Sequence, residues 1–307
     1  MEFRRKVSAL AALIVVSSIA VAQRQSAANH LANFGVTSEL VAIPVSVTDR
    51  KGHTVLDLRS EDFAITDNGA PQQVLSVSRW DVPVSVCVVF DASGSMKRSV
   101  RTAQIAVRVL LNDNGPEDEA CLVRFSSRPE LLVDFTHDAD LITNKLLWDR
   151  PRGATALADA VYAGLNQMKH AANSRKALVV ITDGGENSSR YSFSELLSVA
   201  RESDVQVYTV GLRGNVLDKE EQRGRLRLEQ VTDATGGKLL IIDSSGALPR
   251  VLATVNELIR NQYLLTYRPI NSPQDGKWHP VRVRVQPPSK ASLYRVNARG
   301  GYYASKQ

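Results

Sequence analysis

Residues 83–96 read PVSVCVVFDASGSM, and this stretch decides the fold class. Its first half is almost continuously apolar, which predicts a strand that is covered on both faces in a parallel sheet. Three polar residues, Asp91, Ser93 and Ser95, follow directly, and Gly94 between them allows a sharp bend. We therefore expect a polar loop at the carboxyl end of a buried strand, where doubly wound sheets bind their ligands.

Similar apolar runs recur further along the chain, with helical patterns in most of the gaps between them. The runs are Ala120 to Phe125, Ala177 to Thr182, Val205 to Leu212 and Lys238 to Ile242. One gap has apolar residues at helical spacing over Thr155 to Lys169, and another has a capping box formed by Ser192 and Glu195. This alternation predicts a doubly wound, Rossmann-like α/β domain over residues 81–264.

The segments on either side of this domain have short β-branched runs and turn signals instead of helical patterns. Residues 37–80 contain such runs around the turn Asp67-Asn68-Gly69. Three more, at Gln262 to Arg268, His279 to Gln286 and Leu293 to Ala298, lie in or just before the C-terminal segment, residues 265–307. Neither segment has enough strands to bury a sheet face alone. We expect the two segments to pair into one small β-sheet or sandwich module, with the α/β domain inserted between them.

The chain begins with a basic cluster, an apolar run and small residues at Ala20 and Ala22, a pattern typical of a secretory signal peptide over residues 1–22. An uncleaved anchor is the alternative, although the run is shorter than a membrane span requires. Residues 23–36 are rich in Ala, Ser, Asn and Gln and are interpreted as a linker. We expect export to the periplasm, the cell envelope or the exterior, with no membrane span in the mature chain.

Composition excludes several classes of protein. Two cysteines, Cys87 and Cys121, cannot form a disulfide-rich scaffold or a CxxC metal site, and both are expected to be packed thiols, with a bridge between them as the alternative. The formal charge of +6 becomes +4 without residues 1–22, because three basic residues and one acidic residue in that segment contribute +2. No dense basic block with interleaved aromatics is present, so nucleic acid is not an expected partner.

Oxygen side chains occur in three loops that we expect at one edge of the sheet. Asp91, Ser93 and Ser95 form the first set, Thr155 follows in a second loop, and Asp183 ends a further buried strand. Carboxylates and hydroxyls are hard ligands, which suit Mg²⁺, Mn²⁺ or Ca²⁺ better than zinc or copper. A DxSxS pattern alone is weak evidence, because Asp and Ser also cap turns and helices.

Taken in order, these five residues resemble the metal-ion-dependent adhesion site, or MIDAS, of von Willebrand factor A-type domains. The flanking segments are also similar to those of secreted bacterial proteins that carry a related domain. The resemblance implies that Ser93, Ser95 and Thr155 supply hydroxyl ligands, while Asp91 and Asp183 act directly or through water. It further implies that the last ligand is a Glu or Asp carboxylate of a partner protein, so that the cation joins two proteins and catalyses nothing.

Other functions remain as alternatives. A haloacid dehalogenase-like phosphatase would use Asp91 as nucleophile, but it requires a second Asp at the position that Ser93 occupies. A metal-independent structural scaffold of the cell envelope is the third possibility. A Ser-His-Asp hydrolase is disfavoured because no histidine lies near a GxSxG elbow. Glu186 and Asn187 are interpreted as turn residues, with contact to a partner or to an outer water as the alternative.

Overall fold

The computed structural model describes residues 40–147, 151–212, 219–270, 275–286 and 293–305. The predicted signal peptide and linker lie outside the described residues. Within these ranges, no helix combines the length and the apolar character that a membrane crossing demands.

The central sheet of the α/β domain has six strands in the order β10-β9-β8-β5-β6-β7. Five of them are parallel, and β7 pairs with β6 in the antiparallel direction. The strands are β5 (Val84–Asp91), β6 (Glu119–Phe125), β7 (Pro129–Thr136), β8 (Arg175–Thr182), β9 (Gln206–Leu212) and β10 (Leu239–Ile242). The predicted doubly wound fold is confirmed, and the edge strand β7 is an addition that the sequence analysis did not contain.

Helices cover both faces of this sheet. Helices α1 (Val100–Leu111), α2 (Ala139–Leu147) and α6 (Leu248–Arg260) pack on one face, and α3 (Leu157–Gln167), α4 (Phe193–Glu202) and α5 (Lys219–Thr235) pack on the other. Residues of β5 alternate between the two cores, with Val88 in the first and Val89 in the second, and all eight residues of the strand are buried. Burial on both faces explains why the sequence of β5 lacks polar alternation.

The chain ends form a β-sandwich of two four-stranded sheets, ordered β13-β1-β11-β4 and β14-β12-β2-β3. The strands are β1 (Val41–Asp49), β2 (Phe63–Asp67), β3 (Ala70–Gln72), β4 (Val74–Arg79), β11 (Tyr263–Tyr267), β12 (Trp278–Val285), β13 (Tyr294–Ala298) and β14 (Gly301–Tyr303). Both sheets mix strands from before and after the α/β domain, so the predicted insertion is confirmed. Strand β11 begins at Tyr263, two residues before the predicted start of the C-terminal segment.

The two parts of the molecule meet at the amino ends of the parallel strands, where Arg175 is buried at the start of β8. Its Nη1 atom donates to the carbonyl oxygens of Trp80 (2.7 Å) and Arg260 (3.2 Å), and its Nη2 atom donates to that of Val82. Trp80 and Val82 lie where the chain enters the α/β domain, and Arg260 ends the helix by which it leaves. The Arg175 guanidinium therefore links the segment that enters the α/β domain to the segment that leaves it.

The two cysteines are register partners on β5 and β6, and both are buried free thiols. Burial and the neighbouring Cys87 thiol raise the pKa of Cys121. Because the thiolate is the reactive form, neither its burial nor its pKa favours redox or metal chemistry at this position.

Candidate metal site

Four loops meet at the carboxyl edge of the parallel strands, opposite the Arg175 junction. They follow β5, follow β6, precede α3 and follow β8, which explains how side chains distant in sequence come together. Backbone hydrogen bonds join the loops: Ala92 N to Phe125 O (2.7 Å), Ala156 N to Ser126 O (2.8 Å) and Gly94 N to Gly153 O (3.2 Å). The structure places all five predicted site residues at this edge, as the sequence analysis expected.

Asp91 lies at the base of the site and is completely buried. Its Oδ1 atom accepts a hydrogen bond from Ser93 N (2.9 Å), and its Oδ2 atom accepts one from Thr182 Oγ1 (2.7 Å). Burial, followed by the negative charge of nearby Asp183, raises the pKa of Asp91 to about 6, while the bonds from Ser93 and Thr182 oppose that rise. A bound cation would reduce the repulsion between the two carboxylates and would stabilise the ionised form of Asp91.

The two serines of the DxSxS loop extend the site from the interior to the surface. Ser93 is buried and Ser95 is exposed, and their Oγ atoms are 3.0 Å apart. Each hydroxyl retains lone pairs in addition to this single contact. The donor set is therefore open to solvent on the Ser95 side.

Thr155 and Asp183 form the opposite side of the site around Gly185. A β-carbon placed on Gly185 would lie 3.5 Å from Thr155 Oγ1 and 3.7 Å from Asp183 Oδ1, so these two oxygens border the same small space. Thr155 is buried and Asp183 is partly exposed.

Asn187 and Glu186 hold the Thr155 loop against the Asp183 loop. The Asn187 Oδ1 atom accepts from Thr155 N (2.9 Å), and Asn187 N donates to Thr155 O (3.0 Å). The Glu186 carboxylate accepts from Ala158 N at the start of α3 (2.8 Å) and from the backbone of Ser188 and Ser189. The interpretation as turn residues is therefore incomplete, because Glu186 and Asn187 also link two loops of the site.

Thr182 is a further residue that the sequence analysis did not assign to the site. Its hydroxyl donates to Asp91 and accepts a hydrogen bond from Gly184 N (3.0 Å). It thereby connects the buried carboxylate to the loop that holds Asp183. A threonine next to Asp183 at the end of a buried strand was the available signal, but strand threonines are common and the signal is weak.

The donor set fits a hard divalent cation. Asp91, Ser93, Ser95, Thr155 and Asp183 offer two carboxylates and three hydroxyls, which suit magnesium, manganese or calcium. Among the described residues, no group of three or more His, Cys, Asp or Glu side chains could hold a metal ion. Any cation bound at this edge would therefore depend on the hydroxyls. The role of the five residues as metal ligands stays a prediction.

Fold and site together define a class of protein: a doubly wound α/β domain with an oxygen-only donor set at the carboxyl edge of its sheet. Residues 86–186 match the model of the family described as von Willebrand factor type A domain. This range contains all five site residues. The similarity to the von Willebrand factor type A domain family therefore lies in residues 86–186, and the doubly wound sheet that these residues help to form agrees with it.

Comparisons with individual solved structures show the same fold. A von Willebrand factor type A protein from Catenulispora acidiphila aligns with a TM-score of 0.52 and 12% identity, over 89% of this chain and 75% of that chain. Proximal thread matrix protein 1 from the mussel byssus aligns with a TM-score of 0.50 and 16% identity, over 62% of this chain and 50% of that chain. These two similarities concern the fold alone.

A relative in sequence is an uncharacterized protein of Borreliella burgdorferi. It is 25% identical over 138 residues, which are 41% of this chain and 40% of that protein. The match therefore covers less than half of this relative's length.

Proposed function

We propose that this protein is an exported adhesion module that captures a partner protein through a divalent cation. The cation is Mg²⁺, or Mn²⁺ or Ca²⁺ in its place, and the partner supplies a Glu or Asp carboxylate as the final ligand. The observation that carries this proposal is the convergence of Asp91, Ser93, Ser95, Thr155 and Asp183 at one sheet edge, inside the range that matches the family model. Domains of this family are generally adhesion and interaction modules and not enzymes.

The arrangement of donors suits capture better than catalysis. Ser93, Ser95 and Thr155 would hold the cation as neutral ligands, so that Asp91 and Asp183 alone would balance its charge. A cation with few anionic ligands keeps a strong attraction for an incoming carboxylate. Burial of Asp91 and exposure of Ser95 place the accessible side of the site toward solvent, where a partner would approach.

Catalytic alternatives find little support around this edge. Three of the four described histidines have polar contacts elsewhere: His53 with Asp49, His137 with the Asp118 carbonyl, and His279 with Asn68 and Asp275. The fourth, His170, lies in the short helix after the C-terminal end of α3, at the opposite edge of the sheet. These contacts give neither Ser93 nor Ser95 a base of the kind that a serine nucleophile requires. The proposed role is therefore binding and not catalysis.

Calorimetric titration with Mg²⁺, Mn²⁺ and Ca²⁺ tests the metal site. The wild type should bind one cation and gain thermal stability from it, because binding to the folded state alone stabilises that state. Asp91→Asn should lose both effects. Glu257→Gln is the matched control, because Glu257 is exposed on α6 and removal of its charge leaves the site untouched. If the wild type is folded and none of the three cations changes its melting temperature, the metal proposal is overturned and a metal-independent scaffold is favoured.

Affinity capture from the native cell envelope tests the adhesion role. The wild type should retain a partner in Mg²⁺ and release it in EDTA, and Asp91→Asn should retain nothing in either buffer. A partner that stays bound in EDTA and to the variant would show binding through another surface.

A further inference from the structure

The loops around the candidate metal site carry exposed charges of one sign. The described residues of these loops are 92–99, 126–128, 151–156 and 183–192, and the statements on charge concern these residues. Their exposed charged side chains are all basic, and we name this set the basic collar: Lys97, Arg98, Arg128, Arg152 and Arg190. The molecule as a whole is only mildly basic, so this uniformity is a local property of the site.

Acidic groups in the same loops are directed to the protein itself. Glu186 accepts hydrogen bonds from the backbone at the start of α3, and Asp183 belongs to the donor set. On α3, Asp159 is buried and accepts from Arg190 N (2.8 Å) and Tyr191 N (3.0 Å). Asp159 is thus buried, and Asp183 and Glu186 are only partly exposed, so these charges serve the loop framework and the donor set.

The collar side chains are also unpaired with acidic residues in the described part of the chain. Elsewhere, arginines form ion pairs, as in Arg260 with Asp118 (2.9 Å) and Arg299 with Asp204 (2.9 Å). No collar residue makes such a pair with a described residue. Five exposed cations that form no ion pair with a described acidic residue leave a positive potential around the candidate metal site.

From this charge distribution we infer that the partner offers an acidic projection: one carboxylate for the cation, with further Asp or Glu residues around it that face the basic collar. This inference rests on the proposed metal-dependent capture and specifies its partner. The collar charges would accelerate association and exclude basic partners, because rim charges act mainly on encounter rate and selectivity. Their effect should decline with salt, since exposed charges are screened.

The form of the surface favours a protein over a polynucleotide. Proteins that bind single strands combine a basic groove with aromatic platforms for the bases. Here the described residues of the loops contain one aromatic residue, Tyr191, so the collar cations have no series of aromatic platforms beside them. Its ring is stacked on Tyr162 with centroids 4.1 Å apart, so one face of it is already covered.

Two immobilised peptides provide the test. Both have a single central Asp, flanked by Glu residues in the first peptide and by Gln residues in the second. In Mg²⁺ and low salt, the wild type should bind the Glu-flanked peptide about tenfold more tightly, a difference of about 1.4 kcal/mol. The preference should largely disappear in high salt and in the double variant Arg98→Glu/Arg152→Glu, which should retain its Mg²⁺ affinity in calorimetry.

The matched control is Lys169→Glu/Arg282→Glu, which changes the net charge equally. Lys169 follows α3 at the opposite edge of the sheet, and Arg282 is an exposed residue of the sandwich strand β12. This control should keep the wild-type preference. If it loses the preference to the same extent as the collar variant, net charge explains the result and the collar inference fails.

The remaining outcomes separate this inference from the proposed function. Equal Mg²⁺-dependent binding of both peptides would overturn the acidic partner and leave the metal-dependent capture intact. A different result is a preference for the Glu-flanked peptide that depends on the collar and yet persists in EDTA and in Asp91→Asn. This result would support the role of the collar and contradict the capture mechanism. A single-stranded oligonucleotide that binds the collar more tightly than the Glu-flanked peptide would overturn the choice of a protein partner.

Discussion

The hydroxyl of Thr182 donates a 2.7 Å hydrogen bond to the Oδ2 atom of Asp91, and it accepts another from Gly184 N at 3.0 Å. The two residues end adjacent parallel strands, β8 and β5, so the bond links the two strand ends that carry the carboxylates of the site. It fixes the rotation of the Asp91 carboxylate and the course of the loop after Asp183. Thr182 is therefore a positioning residue for the donor set.

Thr182→Val should weaken Mg²⁺ binding about tenfold while the fold is retained. Valine keeps the shape of threonine but leaves a buried carboxylate oxygen and the Gly184 N–H without this partner, at a cost of about 1–3 kcal/mol. Thr209→Val on the neighbouring strand β9 is the control, because its buried hydroxyl has no hydrogen-bond partner among the described residues. Calorimetry should find the control equal to the wild type. Equal affinity in both variants would refute a positioning role.

The stability of the metal-free protein should fall as the pH rises from about 4 to about 6. Asp91 has a folded-state pKa of about 6 against an ordinary value of 3.8, so the folded protein keeps a proton that the unfolded chain has released. Charging this buried group therefore destabilises the fold, by up to about 3 kcal/mol above pH 6. Urea unfolding in EDTA at pH 4.5 and 7.5 measures the effect. Asp91→Asn should lack this component, and identical pH profiles for the two proteins would contradict the prediction.

Gly224→Ala should disturb the site from a distance in sequence. A β-carbon on Gly224 of α5 would collide with the carbonyl oxygen of Gly184, which adopts a positive φ of +87° directly after Asp183. The loop or the helix must then shift, and we expect a lower Mg²⁺ affinity with a loss of about 1–3 kcal/mol in stability. Gly246→Ala is the control, because its β-carbon would meet only Ser244 Oγ, at 3.6 Å. Unchanged Mg²⁺ affinity in Gly224→Ala would show that the loop tolerates the contact.

Arg175→Met should loosen the junction between the α/β domain and the sandwich. The change leaves the carbonyls of Trp80, Val82 and Arg260 without their shared donor, and we expect a loss of about 2–4 kcal/mol. Lys176→Met is the control at the next, partly exposed position. Thermal unfolding gives the stability, and limited proteolysis near residue 81 reports on the junction. Equal melting temperatures for the two variants would contradict the role of Arg175.

Local chemistry made several features predictable from sequence. The buried strands are recognisable in the sequence as apolar runs. The capping box of Ser192 and Glu195 forms as expected, with Ser192 N donating to Glu195 Oε2 (2.8 Å). The position of Asp91 and Asp183 at one edge of the sheet was predictable because parallel strands end at a common edge.

Other features depend on contacts that sequence spacing does not encode. Strand β7 lies at the sheet edge, and its half-exposed residues carry no continuous apolar run. Asn187 contacts Thr155 across 32 positions, and Arg175 contacts Trp80 across 95, so neither pairing has a local signal. The sandwich was predictable as an association of both chain ends, but its division into two sheets is set by long-range pairing.

Arg79 and Tyr263 are cross-strand partners, and Trp80 N donates to Gln262 O at 2.9 Å, so the chain departs from the sandwich and returns to it at the same point. Antiparallel neighbours at such a point can be closed by a two-residue hairpin turn. The α/β domain is therefore an exchangeable insert: its excision between residues 80 and 262 would require no rearrangement of the strands that remain, and its replacement by a related domain would leave them unchanged.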